Sequence, residues 1–321
     1  MRIIVTGATG FAGHEVVRAA LRRGHEVLAV GGKNIPRAPE LKRVMNIDLT
    51  DRAQIEALIL DEFPQAVINC AALATIEACN LDATLASRLN TDLPAQLAQL
   101  CFHVGGKLIH LSTDMVFDGV RGSYGHTDQP NPLHLYGKTK AAGEVEALKY
   151  GREHAAVIRT SLLNGNSPSS DRGIHERLMR DWAAGNTSTL FTDEIRQPVS
   201  ASNLADVAVE LCERPNLSGV YHWAGLAPIS RHEIGTAIAR HFGLASEKFI
   251  KSGKRIDHPS AAQRPRELSL QLHPLAGKLR TPAQPFVDQL SELRIPKGCE
   301  TWYEKETGRK VVRLLEKGVD F

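Results

Sequence analysis

Residues 2–21, RIIVTGATGFAGHEVVRAAL, constrain this chain more than any other stretch. An apolar, β-branched run comes first, then glycines at 7, 10 and 13, then a stretch with helical periodicity, so the order expected is strand, tight turn, helix. Glycine lets the backbone turn sharply and come close to a ligand. A helix that begins at such a turn presents unpaired N–H groups, and these suit the charge of a pyrophosphate. A glycine triplet alone marks only a turn. Placed at the first strand-to-helix junction of a chain, it points to dinucleotide binding.

The same alternation continues through the first half. The short apolar runs RIIVT, EVLAV, VMNI, AVINC, KLIHLS and AAVIRT are separated by amphipathic or Ala-rich segments, the pattern of parallel strands joined by right-handed helical crossovers. The expected fold is α/β: a doubly wound parallel sheet of Rossmann type with a second, smaller substrate lobe. After Thr160 the run SLLNGNSPSSDRG reads as a loop leaving the sheet. SASNLADVAVELCER reads as a helix capped by Ser202 or Asn203, and GVYHWAG as a strand returning to the sheet. The dinucleotide-binding domain is therefore expected over 1–165 plus 196–224, and the substrate lobe over 166–195 plus 225–290. Residues 291–321 are expected to form a C-terminal tail.

Bulk composition removes several functions. The 321 residues are 42% hydrophobic, enough to bury a full core. With 39 basic and 36 acidic residues the net charge is +3, and no run of like charge is long enough for a polyanion-binding arm. This argues against nucleic acid as a partner. No leader-like apolar region opens the chain and no stretch approaches membrane-spanning length, so a cytoplasmic protein without a membrane partner is expected. Cys70, Cys79, Cys101, Cys212 and Cys299 are odd in number, widely spaced and form no C-x-x-C pair. They read as packing residues, not as a disulfide framework or a zinc site. Among 13 histidines no pair has H-x-x-x-H spacing with an acidic ligand, so no metal is expected.

The second strand, EVLAV, runs into GGKNIPR with no acidic residue to accept hydrogen bonds from a ribose 2′-hydroxyl. Lys33 and Arg37 follow instead, which suits a 2′-phosphate and favours NADP, with NAD still possible. Asp48 and Leu49 in NIDLTD fall where an adenine could lie, although Asp48 reads equally as a helix cap. NCAA at 69–72 ends a strand with small residues, as close passage of backbone past a ligand requires.

Taken in order, TGATGFAG, DLTD, NCAA, LSTDMVFDG, YGKTKAAGE and IRTSLLNG resemble an extended short-chain dehydrogenase/reductase, and within it the dTDP-4-dehydrorhamnose reductase group. The likeness continues through DEIRQPVSASNLADV, GVYHWAG and QRPRELSL, covering roughly 1–275. The resemblance implies a Thr-Tyr-Lys set at Thr113, Tyr136 and Lys140. It implies cofactor contacts at Gly7, Thr9, Gly10, Phe11, Ala12, Lys33, Asp48, Leu49, Cys70, Ala71 and Ala72, with Asn90, Tyr136 and Lys140 on the nicotinamide side. Substrate contacts are implied at Asp114, Met115, Leu162, Arg196 and Arg266, where a guanidinium would suit a diphosphate. A homodimer is the family-level expectation.

Positions 136 and 140 share one helix face, so Lys140 is placed to approach the phenol and the nicotinamide ribose. A free tyrosine has a pKa of about 10, and a tenfold change in phenolate preference is worth about 1.4 kcal/mol. A neighbouring ammonium would lower that pKa, making the phenol a proton donor when a ketone accepts hydride. Thr113 would hold the carbonyl oxygen.

Two departures bear on substrate. The resembling reductases carry a tyrosine after the Thr-Asp pair and a tryptophan after RTS, where this chain has Met115 and Leu162. Aromatic contacts to a deoxysugar are thereby lost, and the expected substrate is a keto sugar nucleotide of open identity. Related dehydratases place an Asp-Glu pair after the threonine; Asp114 followed by methionine argues against dehydration. The chain is also similar to the β subunit of methionine adenosyltransferase over YGKTK and QRPR, which implies a cofactor-binding regulatory subunit as the alternative, with a sugar-nucleotide epimerase as a third reading.

Overall fold

A computed structural model of the protein describes residues 1–32 and 41–311. Seven strands form the central sheet: β1 (Arg2–Thr6), β2 (Glu26–Gly31), β3 (Arg43–Asn46), β4 (Ala66–Asn69), β5 (Lys107–Thr113), β6 (Ala155–Thr160) and β7 (Gly219–Trp223). Their spatial order is β7-β6-β5-β4-β1-β2-β3, and every pairing is parallel. All six apolar runs of the first half are strands, and GVYHWAG returns to pair with β6. Strand order reverses between β1 and β4, because β1 leads to β2 on one side and β4 to β5 on the other. A crevice at the carboxyl ends of these two strands follows from that reversal.

Alternation along each strand sorts side chains to two apolar layers. Ile3 and Val5 of β1, with Ile68 of β4 and Ile109 of β5, pack against α1 (Phe11–Arg22) and α6 (Ala201–Cys212). Ile4, Val67 and Leu108 face the other way, onto α2 (Arg52–Glu62), α3 (Leu93–Val104) and α4 (Leu135–Gly151). A separate apolar cluster joins α5 (Ile174–Ala183) to α7 (Arg231–His241) through Met179, Trp182, Ile234 and Ile238, with Phe249, Phe286 and Tyr303 packed around them.

Two helix starts differ from expectation. Helix α6 is capped by Ser200, whose hydroxyl accepts from Asn203 N, and not by Ser202 or Asn203. The serine side chain must stand outside the first helical residue to reach back to it, and Asn203 instead accepts from the Trp223 indole N–H at 2.8 Å. Helix α2 is capped by Asp51, not Asp48. The Asp48 carboxylate accepts from the backbone N–H and the hydroxyl of Thr50, which hold its pKa down.

Candidate active site

The glycine turn after β1 meets the end of β4. Gly7 has φ +66°, and a Cβ there would lie 2.6 Å from Ala71 N. Gly10 caps α1 with no side-chain hydrogen bond, and its N–H donates to Gly7 O at 2.9 Å. A Cβ at Gly13 would strike the Gly7 carbonyl. These three positions leave a backbone cradle at the start of a helix, whose first-turn N–H groups have no intrahelical acceptor. The donor set fits a pyrophosphate. Thr9 and Ala12 are half-buried in this turn, and Phe11 is buried. Phe11 also approaches Gly165 in the loop beyond β6.

Around the cradle, Leu49 and Ala71 are buried, Cys70 and Ala72 half-buried, and Asp48 is exposed. Cys70 is a free thiol pushed up to about 12 by burial. Lys33 and Arg37 lie outside the described residues.

On the far side of β4, Thr113 ends β5 and its hydroxyl accepts from Met115 N at 3.1 Å. Asp114 is buried, its carboxyl raised by loss of water and held by the Ser161 hydroxyl at 2.7 Å and by attraction to Arg196. Helix α4 begins at His134, whose Nδ1 accepts from Gly137 N at 3.2 Å. Tyr136 and Lys140 follow one turn apart. Thr113 lies close enough to Tyr136 for its hydroxyl to lower the phenol's pKa, so the β5 end and the α4 start converge.

The electrostatics differ from the sequence expectation. Tyr136 is half-buried, and loss of hydration raises its pKa, with the nearby Thr113 hydroxyl opposing the rise and Asp114 adding to it. Lys140 is not among the groups that shift it. The lysine is 2% exposed and its Nζ lies 2.6 Å from Leu111 O and 3.2 Å from His110 Nε2, pointing at the sheet. Helix spacing puts both side chains on one face but does not say which acceptor a long side chain will reach. Desolvation lowers Lys140 to about 8, opposed by Glu144 and the Cys70 and Cys79 thiols.

Asn90 is fully buried in a π-helical turn, Arg88–Asp92, which runs into α3. Its amide accepts from Leu73 N at 2.9 Å and donates to Leu73 O and Thr139 Oγ1, both at 3.1 Å. It ties the loop after β4 to α4. Met115 packs with Phe117, Tyr124 and Leu268, whereas Leu162 packs with the α5–α7 cluster.

Arg196 is buried beside Glu194 at 3.2 Å and donates to Ile195 O at 2.7 Å and Pro265 O at 3.1 Å. Glu194 also pairs with Arg264 at 2.9 Å and Arg231 at 3.9 Å, so one carboxylate meets three guanidinium groups. Burial lowers Arg231 to about 10 despite Glu194. Arg266 is exposed and donates to Val120 O at 3.0 Å. The sequence assigns no role to Glu194, Arg231, Arg264 or Thr6, places Asn69 at the start of the NCAA strand end, and marks His110 by the fifth strand only as a surface or hydrogen-bonded packing residue. The available signal for the last three was a polar residue inside an otherwise apolar strand.

Among the described residues no group of three or more His, Cys, Asp or Glu side chains could hold a metal ion, and no helix is long and apolar enough to cross a membrane.

Residues 1–294 match the RmlD substrate binding domain family. A probable low-salt glycan biosynthesis reductase, Agl14 of Haloferax volcanii, is 33% identical over 298 residues, spanning 91% of this chain and 97% of that protein. Methionine adenosyltransferase 2 subunit beta of Xenopus laevis is 34% identical over 250 residues, spanning 76% of this chain and 73% of its own length. Among solved structures, a dTDP-4-dehydrorhamnose reductase from Bacillus anthracis in complex with NADP has a TM-score of 0.79 and 22% identity, covering 90% of this chain and 97% of that one. At that identity the likeness is one of fold.

Proposed function

This chain belongs to the RmlD substrate binding domain family, and from that premise we propose that it is an NADP(H)-dependent reductase of a keto sugar nucleotide. One observation carries the reading. The glycine cradle after β1 and the Thr113–Tyr136 pair open onto the same sheet end, on either side of β4, where a dinucleotide held at the cradle would bring its reactive ring to the pair.

The coenzyme, when bound, supplies the hydride. Gly7, Gly10 and Gly13 let the turn pack tightly on itself and against the end of β4, and the start of α1 would stabilise the charge of a pyrophosphate held there. Thr113 orients the substrate carbonyl oxygen and stabilises the negative charge that develops there. Tyr136 donates its phenolic proton to that oxygen; its raised pKa keeps the phenol protonated but makes it a weaker acid, so a positive charge brought beside it must lower that pKa for the transfer. Asp114 and Arg196 border the substrate side, and the guanidinium groups around Glu194 favour a diphosphate. We assign residues 1–165 plus 196–224 to the coenzyme-binding domain and 166–195 plus 225–290 to the substrate lobe. Similarity to the methionine adenosyltransferase subunit favours a second reading, a regulatory partner that binds the same coenzyme.

Oxidation of NADPH by a panel of 4-keto sugar nucleotides tests the first reading. Turnover that falls by about a hundredfold or more in Tyr136→Phe is expected. No turnover with any member, together with stoichiometric co-purification of a partner enzyme, favours the second.

A further inference from the structure

Four buried side chains connect across the top of the sheet: Thr6 of β1, Asn69 of β4, His110 of β5 and Lys140 of α4. Asn69, His110 and Thr6 are fully buried. The Thr6 hydroxyl donates to Asn69 Oδ1 at 2.7 Å, and the backbone N–H of Ala71 donates to the same oxygen at 3.2 Å. A backbone N–H can only donate, so that oxygen must face Ala71 and the amide cannot be reversed without losing the bond. The Asn69 Nδ2 group is then turned to His110 Nδ1, 3.1 Å away. It too can only donate. His110 Nδ1 must therefore accept, and a neutral imidazole with an accepting Nδ1 carries its proton on Nε2. Nε2 is the atom that faces Lys140 Nζ at 3.2 Å.

An ammonium has three donors and no acceptor, so against Nε2–H it would leave two donors facing one another in a buried site. A neutral amine resolves the conflict: it accepts from His110 Nε2–H and donates to Leu111 O, 2.6 Å away. We propose that His110, locked as its Nε2–H tautomer by Asn69, is a positioning residue that holds Lys140 as a neutral amine in the coenzyme-free protein.

Other groups facing the lysine do not undo this. Glu144, one turn along α4, is already engaged by Arg159 and Ser112. The thiols of Cys70, beyond β4, and Cys79, on Ile76–Leu81, are themselves pushed toward the neutral form by burial. Burial also moves both titrating members of the chain the same way, Lys140 down and His110 well below its usual range. Above a midpoint lowered to about 8, the lysine thus carries no charge toward Tyr136 until something displaces it from His110. For the reaction, this rests on the reductase reading. A sugar diol competing for Nζ would turn an amine into an ammonium by drawing a proton from solvent.

Nitrogen-15 NMR of the full chain, without coenzyme or substrate, tests the proposal independently of that reading. Long-range nitrogen–proton correlations are expected to show His110 protonated at Nε2, and Lys140 is expected to titrate well below the usual lysine value of about 10.4. His110 protonated at Nδ1, or a lysine that keeps its charge up to that value, overturns it. In Asn69→Asp the carboxylate accepts from Thr6, Ala71 and His110 together, so the imidazole proton should move to Nδ1 and the Lys140 midpoint rise by about one pH unit or more. An imidazole that keeps its Nε2 proton in this variant also overturns the proposal. If the variant does not fold, the tautomer of the unaltered protein still decides.

Discussion

The Arg159 guanidinium grips the Glu144 carboxylate from inside the sheet: Nε lies 3.1 and 3.0 Å from the two oxygens and Nη2 lies 2.7 Å from Oε2. The two side chains are 4% and 3% exposed, and the Ser112 hydroxyl donates to the same carboxylate. This pair fastens β5 and β6 to the helix that carries Tyr136 and Lys140. Strand parity explains how. Leu108, His110 and Ser112 share one face of β5, as Val157 and Arg159 share one face of β6, and that face turns polar toward its carboxyl end beneath α4.

Removing one partner strands a buried charge. Arg159→Met should cost about 3–5 kcal/mol, read as a lower urea midpoint. The double variant Arg159→Met/Glu144→Met should recover much of the loss, since no charge is then left unpaired. A single variant within about 1 kcal/mol of the parent, the scale of an exposed ion pair, would show that water reaches the pair.

Gly7→Ala places a Cβ against Ala71 N at a left-handed backbone position. That conformation alone costs a non-glycine residue about 1–2 kcal/mol. Because the turn must shift to accept the methyl group, NADPH affinity should fall by tenfold or more, on the order of 1.4 kcal/mol. Fluorescence titration of bound NADPH measures it. Unchanged affinity would remove the turn from the coenzyme site.

Thr113→Val keeps the shape and removes the hydroxyl. Expected is a loss of about a hundredfold in kcat with NADPH affinity unchanged, because the hydroxyl serves the substrate oxygen and not the coenzyme. A matching loss of NADPH affinity would contradict that division of labour.

His175 is fully buried on α5, with Nε2 3.1 Å from Arg294 O, and burial lowers it to about 4. Its folded pKa is depressed, so the unfolded chain binds a proton that the native one refuses between about 6.5 and 4. The stability it contributes is whole above pH 6.5 and lost as pH falls toward 4, on the order of 3 kcal/mol. Urea midpoints measured across that window should fall with acid. His175→Gln, which keeps an N–H for the Arg294 carbonyl, should flatten the slope; an unaltered slope would assign the acid sensitivity elsewhere.

Local chemistry determined much of this protein from its sequence. Gly7 sits at a left-handed turn position and a Cβ at Gly13 would strike the Gly7 carbonyl, so that turn needs glycine at both, and the β-branched runs and their spacing commit the chain to parallel strands and crossovers. Helix periodicity put Tyr136 and Lys140 on one face before any fold was known. The cap of α6 is not legible in the sequence, because Ser200, Ser202 and Asn203 are chemically alike and only the path of the backbone selects Ser200. Tertiary structure alone decided where each long side chain ends. Lys140 turns to His110 and Leu111, and Glu194 gathers its neighbour Arg196 together with Arg231 and Arg264 from distant parts of the chain. Such choices depend on which buried donors and acceptors still lack a partner once the sheet is assembled. That accounting belongs to the whole molecule, and no single segment contains it.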